Sequence, residues 1–239
     1  VAGQSAARQA AEIAAIGGHH ILLIGPPGAG KTMIAERIPT IMPALAIEEA
    51  LEVTAVHSIA GTLTQRSPLS LLAPIVSPHH TTTRIAMVGG GSHAIKPGAC
   101  SLAHHGVLFI DEAPECAVGV LDSLRQPLES GTITIARSVG SITFPAQFLL
   151  VLAANPCPCG KFTGKGRACI CSSLAVRRYL GKLSGPLMDR IDMRVQVEPV
   201  SRIGLVGITV QEAEYLHAVE AGRRLARDLC GTEPERMAP

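Results

Sequence analysis

Gly25-Pro26-Pro27-Gly28-Ala29-Gly30-Lys31-Thr32 stands between the apolar run Ile21 to Ile24 and a segment that takes up helical spacing at Lys31. The octet fits G-x-x-x-x-G-K-[ST] without a mismatch, and its flanks supply the strand and the helix that the pattern requires. Gly28 and Gly30 let the backbone curl so that successive N–H groups face phosphate oxygens, and the next helix adds the partial positive charge of its N-terminus. Lys31 is placed to reach β- and γ-phosphates, and Thr32 to ligate Mg²⁺. Gly25, Pro26, Pro27, Gly28, Ala29, Gly30, Lys31 and Thr32 are therefore the candidate site for Mg·ATP. The plain alternative, a chance glycine-rich turn, would not need both flanks.

The second half of such a site lies downstream. Val107-Leu108-Phe109-Ile110 is an apolar strand ending in Asp111-Glu112. That order places Asp111 beside the metal and leaves Glu112 to polarise a water. A strand end with two solvated acids is the ordinary reading, and the loop upstream decides against it. Asn155 ends another apolar run, where an amide could hold the attacking water; before Pro156 it is also common turn chemistry.

Outward from these motifs the chain alternates strands and helices, which implies an α/β fold with a parallel sheet and crossover helices. Ser5 to Ile16 reads as a short helix capped by Ser5 and stopped by Gly17-Gly18. Lys31 begins a helix that should end at Pro39. Leu51 to Val56 is a candidate strand, and Gly61 to Gly98 an irregular insertion. Val118, Leu121, Leu124 and Leu128 mark a helix after Glu112. Thr132 to Ala136 and Ser141 to Phe144 alternate about Arg137-Ser138-Val139-Gly140, a β-hairpin. Phe148 to Ala153 and Val195 to Val197 are the remaining strands, five in the core sheet. Thr209 to Leu229 is an amphipathic helix with a Thr209/Glu212 capping box and a Gly231 stop.

Composition limits the class of protein. The 239 residues are 47% hydrophobic, with four Phe, two Tyr and no Trp, an aliphatic diet suited to buried parallel strands. The longest apolar runs are too short to cross a bilayer, and no basic segment followed by an apolar one marks the N-terminus, so a soluble cytoplasmic protein is expected. A net charge of +2 neither requires nor excludes a nucleic-acid partner.

Seven cysteines in such a chain point to metal or redox chemistry rather than disulfides. Cys157-Pro-Cys159 and Cys169-Ile-Cys171 bracket a glycine-rich stretch and could close a tetrahedral Zn²⁺ site, though the spacing is tighter than the usual C-x₂-C; four free thiols are the alternative. Cys100, Cys116 and Cys230 are isolated and read as packing residues. His19-His20, His79-His80 and His104-His105 look like metal pairs, but neighbours in sequence do not share a face of a helix or strand, so they are read as structural.

The ordered set of Gly25–Thr32, Val107–Glu112, Ala153-Ala154-Asn155-Pro156-Cys157-Pro158-Cys159-Gly160 and Leu183-Ser184-Gly185-Pro186-Leu187-Met188-Asp189-Arg190-Ile191-Asp192 resembles the AAA+ ATPases. More narrowly it resembles their magnesium-chelatase-like group, which includes the competence protein ComM (YifB). Ser77-Pro78-His79-His80-Thr81, Val88-Gly89-Gly90-Gly91 and Leu124-Arg125-Gln126-Pro127-Leu128-Glu129 support the likeness, which runs from about Val1 to Ser201. It implies an ATPase ring, usually hexameric, with ATP at subunit interfaces. It implies Asn155 as the sensor of the γ-phosphate and Arg190 as the arginine that reaches a neighbour's ATP; an ion pair of Arg190 with Asp189 or Asp192 is the alternative. It also implies action on DNA, of the helicase or branch-migration kind used in transformation. A chelatase-type remodeller working on a protein partner, or a nucleotide-binding assembly module with little turnover, are the other readings. Residues 1–200 then form the ATPase core and 201–239 part of a helical lid, without the rest of the lid or the N-terminal domain of the group. Gln147 replaces the group's usual Arg, and Ala99-Cys100 its Glu-Ile.

Overall fold

Residues 4–63, 69–91, 94–137, 140–162 and 169–198 are described by a computed structural model. Helix α1 (Ser5–Gly17) leads into strand β1 (Ile21–Ile24), followed by α2 (Lys31–Ile41) and α3 (Ile47–Ala60). Next come the two-residue strand β2 (Ile75–Val76), helix α4 (Arg84–Val88), the paired strands β3 (Gly89–Gly90) and β4 (Lys96–Pro97), and α5 (Ala99–Leu102). Strand β5 (Val107–Ile110) passes through a 3₁₀ turn into α6 (Val118–Asp122) and α7 (Arg125–Ser130). The hairpin β6 (Thr132–Arg137) and β7 (Gly140–Pro145) precedes β8 (Leu149–Ala154), α8 (Ser173–Leu180), α9 (Gly185–Met188) and β9 (Met193–Gln196).

The central sheet has five strands in the order β2-β5-β8-β1-β9, all paired in parallel. Successive side chains alternate between its faces, and both faces are apolar. Leu22, Leu108, Ile110, Leu150 and Leu152 meet Leu121, Leu124 and Leu187 on one side. Ile21, Leu23, Val107, Phe109, Val151 and Ala153 meet α1 and α2 on the other. Helix α1 presents Ala7, Ala10, Ala11, Ala14 and Ala15 to that side, small side chains that let its backbone lie close to α2 and the sheet. The resulting three layers are the expected α/β fold, and the separate β6–β7 hairpin is the expected insertion.

Several local expectations are corrected. Leu51 to Val56 is helical, lying inside α3: Ala50, Val53 and Val56 recur at helical spacing and are buried. The Glu49 carboxylate accepts the Ala46 N–H at 2.8 Å, and Gly61 closes the helix with a positive φ. Ala46 has no side-chain acceptor, so only this half of a capping box forms. The fifth core strand is instead β2, inside the segment read as irregular. Ser5 is the first helical residue, and the preceding Gln4 holds the left-handed cap position without a side-chain capping bond. Helix α2 runs past Pro39 to Ile41, and Met42 N–H still bonds Ile38 O. The helix read across Val118 to Leu128 breaks into α6 and α7, with Val118 exposed. The segment Thr209 to Leu229, the whole lid reading and Cys230 lie outside the described residues.

This topology gathers the candidate residues. Ile24 pairs with Ala154 and Ile110 with Leu152, so the three strands end along one edge. The residues that follow, Gly25, Asn155 and Asp111, leave the sheet side by side, where α/β sheets bind ligands.

Candidate nucleotide site

The loop begins under steric constraint. A Cβ on Gly25 would lie 2.2 Å from the Val197 carbonyl oxygen, so only glycine lets the chain beyond β9 pass there. Gly25 N–H bonds Ala154 O at 3.1 Å, tying the start of the loop to the end of β8. Gly28 and Gly30 take φ of 76° and 92°, the left-handed turns that the curled loop needs. Gly30 then caps α2, whose first residue is Lys31.

Lys31 is only 8% exposed. Its ammonium donates to Gly25 O at 2.6 Å, Pro26 O at 3.0 Å and Asn155 Oδ1 at 3.1 Å. Burial holds its pKa below the ordinary lysine value, and the nearby Asp111 and Glu112 carboxylates oppose that shift. Thr32 Oγ1 donates to Asp111 Oδ2 at 2.8 Å, and the other Asp111 oxygen accepts the Glu112 N–H at 2.8 Å. Asp111 is thus oriented by two bonds. Glu112 sits in the left-handed region with φ 49°, and its half-exposed carboxylate lies 3.3 Å from His80 Nδ1. A buried cation, a threonine hydroxyl and two carboxylates at one loop are a donor set that fits a magnesium-bound polyphosphate.

Two contacts were not foreseen from the sequence. His80 reaches Glu112, although the two are far apart in the chain. Gln4 Nε2 donates to Ala29 O at 3.0 Å and also to Glu198 O, linking α1 to the loop and to the segment after β9. No local pattern marks either residue; only His80 stood in one of the quoted strings.

Arg190 follows α9 and forms an ion pair with Glu129 at the end of α7. The alternative partners read from sequence are not used. Asp192 instead accepts the His20 N–H at 2.7 Å. Among the described residues the Arg190 side chain has no hydrogen bond or ion pair to the loop Gly25–Thr32, and it is 45% exposed.

Cys157, Cys159, Cys169 and Cys171 converge as the spacing suggested, and all four sulfurs lie within 4.8 Å of one another. Cys157 Sγ is 3.4 Å from Cys159 Sγ and 3.6 Å from Cys169 Sγ, and Cys159 and Cys169 are 3.7 Å apart. A tetrahedron with Zn–S bonds of about 2.3 Å has edges of about 3.8 Å, so the cage has the size of a Zn²⁺ site. None of the described cysteines is in a disulfide. Cys100 and Cys116 are buried packing residues, as expected, and burial drives the Cys100 thiol up to about 12.

The face argument fails for two histidine pairs: the His79 and His80 rings lie 4.0 Å apart, and those of His104 and His105 3.9 Å. His104 and His105 both bring Nε2 to Glu52 Oε2, at 2.9 and 3.2 Å, because His105 takes a φ of 54° that turns the rings to the same side. With Glu52 they form a group close enough to hold a metal ion, which the reading of the pairs as structural had set aside. His104 Nδ1 accepts the Gln147 N–H at 3.2 Å, which leaves the proton on Nε2 to donate to Glu52. The cluster therefore ties α3 to the segment before β5.

Comparison with known proteins agrees with this geometry. The family model described as magnesium chelatase, subunit ChlI, matches residues 1–205. An uncharacterized protein of Mycobacterium tuberculosis is 50% identical over 228 residues, covering 95% of this chain and 44% of that protein. The Escherichia coli protein YifB is 43% identical over the same 228 residues and shares of length. The competence protein ComM of Haemophilus influenzae is 45% identical over 201 residues, 82% of this chain and 38% of that protein. The chain thus spans less than half the length of these relatives. No helix among the described residues is long and apolar enough to cross a membrane.

Proposed function

The chain belongs to the magnesium chelatase ChlI family, in its ComM and YifB branch, and from that premise we propose that it binds and hydrolyses Mg·ATP as the motor core of an AAA+ ring acting on DNA. The observation that carries the reading is the junction of Lys31, Thr32, Asp111, Glu112 and Asn155 at three adjacent strand ends. Mg²⁺ bound there would draw charge from the phosphate oxygens. Thr32 and Asp111 would hold it, and Lys31 would turn from the loop carbonyls to the β- and γ-phosphates. Glu112 takes the proton from the attacking water, and Asn155 orients that water. Arg190 exchanges its Glu129 partner for the ATP of the neighbour in a ring, usually hexameric. The four clustered cysteines would hold one Zn²⁺, as their spacing allows.

Two hairpins supply the DNA reading. A Cβ on Gly89 would lie 3.0 Å from Ile135 Cδ1, and one on Gly90 3.9 Å from the Arg137 guanidinium, so β3–β4 lies against β6–β7. Exposed Lys96 and Arg137 stand on this pair of hairpins, two cations suited to a phosphate backbone. A second reading is a chelatase-type role on a protein partner; the chain is also 27% identical over 176 residues, 65% of its length, to the magnesium-chelatase 38 kDa subunit of Cereibacter sphaeroides, of which this covers 51%. ATPase rates measured with single- and double-stranded DNA across a salt series separate the two. Stimulation that fades with salt supports the DNA reading. A rate indifferent to DNA, with Lys96→Ala and Arg137→Ala silent, counts against it.

A further inference from the structure

The cysteine cage touches the nucleotide loop at two points. Asn155, whose amide oxygen accepts from Lys31 at 3.1 Å, is separated from the first thiol only by Pro156. Cys157 itself is fully buried, so its sulfur has one position rather than several. From there the chain turns back on itself, with Gly160 N–H bonding Cys157 O at 2.9 Å. Gly160 has φ 71°, and a Cβ on it would stand 2.6 Å from Pro27 Cδ. The segment that carries the first two cysteines is therefore in contact with the phosphate loop at both ends, Asn155 on Lys31 and Gly160 on Pro27. No strand pairing or helix holds residues 155–162 in place.

Four thiols alone have no reason to converge within 4.8 Å of one another. A bound divalent ion would supply it, because it would replace mutual repulsion of thiolates by four metal–sulfur bonds. Cys169 and Cys171 lie just before α8, whose N-cap Ser172 accepts the Ala175 N–H at 3.2 Å. The ion would thus fasten the Asn155 turn to a helix as well as closing the loop between the two cysteine pairs.

We propose that the Cys157–Cys159–Cys169–Cys171 site is a Zn²⁺ clasp that positions Asn155 and Pro27 for the triphosphate, so that metal occupancy sets the affinity for ATP. This rests on the reading that the loop binds ATP and that the cage binds zinc. The cysteines are positioning residues: none is placed to touch nucleotide.

The test uses the whole chain, purified under reducing conditions, with zinc content measured by mass spectrometry and nucleotide affinity by fluorescent ATP and AMP analogues. The zinc-loaded form should bind ATP at least about tenfold more tightly than the form stripped by a thiol reagent and chelator, as loss of one bond to a charged phosphate implies. Reloading with ZnCl₂ and reductant should restore affinity, and AMP binding should change little. Gly160→Ala separates the clasp from its metal: it should keep one zinc per chain yet weaken ATP binding, because its Cβ strikes Pro27. That variant also answers the concern that stripped protein unfolds. Equal ATP affinity in loaded, stripped and Gly160→Ala protein, with zinc present in the first and last, overturns the coupling but leaves the zinc reading intact. Protein that carries no zinc and takes up none overturns the metal reading, and zinc-loaded protein that binds no ATP overturns the nucleotide reading.

Discussion

Replacing Lys31 by Met should separate nucleotide affinity from fold stability, because the side chain has two sets of partners. In the free protein its ammonium bonds three oxygens, those of Gly25, Pro26 and Asn155. With ATP present those donors serve the β- and γ-phosphates instead. Bonds to a charged partner contribute about 1.5–3 kcal/mol each, so two phosphates bring about 3–6 kcal/mol. Giving up the loop oxygens offsets part of this, and a net loss of about 2–4 kcal/mol corresponds to a Kd raised roughly 30- to 1000-fold. Met keeps the apolar stem but leaves the buried Gly25 carbonyl without its donor, while Pro26 O keeps the Ala29 N–H, which should destabilise the fold by about 1–3 kcal/mol. For a domain of this size that is a fall in Tm of several degrees, about 2–4 °C per kcal/mol. Titration with fluorescent ATP and AMP analogues, beside a thermal melt, reads both effects. AMP lacks the phosphates in question and should bind the variant and the parent alike. A Lys31→Met protein that melts a few degrees lower but binds ATP as tightly as the parent would refute the assignment of Lys31 to the phosphates.

Glu112→Gln should keep ATP affinity and slow hydrolysis by about 10²-fold or more in a single-turnover phosphate assay, since it removes the base and not the metal ligands. His80→Ala should lower turnover at unchanged ATP affinity by freeing the Glu112 carboxylate 3.3 Å away; equal turnover in the variant means that the contact plays no part. Arg190→Ala should bind ATP without hydrolysing it, and mixing it with Lys31→Ala should recover part of the activity at shared interfaces; loss of Tm with no recovery favours the Glu129 ion pair as the whole role of Arg190. His20 and His104 are both held below the ordinary histidine value, chiefly by burial, and each accepts a backbone N–H through Nδ1. The unfolded chain therefore takes up protons first, so this stability is full above about pH 6.5 and is lost as pH falls toward the lower folded values. Tm should drop from about pH 7.5 to about pH 5.5, on either side of that value, and a flat profile would contradict it.

The parts of the fold that were legible are those whose local chemistry leaves one choice. Val107–Ile110 and Leu149–Ala154 are buried at every residue, a pattern that a parallel strand covered on both faces requires. The β6–β7 hairpin announced itself by alternation alone. Leu51 to Val56 shows the opposite case: Leu-Glu-Val-Thr-Ala-Val satisfies a period of two and a helical period together. What decides it lies outside the six residues, in the Glu49 contact to Ala46 and the positive φ of Gly61. Strand β2 was illegible because two residues show no period, and its pairing with β5 is made by the rest of the sheet.

The candidate site divides in the same way, and the division has a physical cause. Gly25 to Thr32, Asp111 and Glu112 were readable because each ends or follows a strand, and the parallel sheet brings such ends to one edge whatever the intervening sequence. Contacts that depend on how loops cross that edge were not readable. His80 reaches Glu112 from beyond the two-residue strand β2, and Glu129 meets Arg190 across two helices. The convergence of His104 and His105 needs a backbone conformation that a non-glycine residue adopts only under tertiary constraint. The four cysteines stand between the cases. Their spacing named the ligand type, but the placement of their turn on Pro27 exists only once Gly160 is seen against the loop. That contact follows from the adjacency of β1 and β8, which sets the loops after both strands in van der Waals reach.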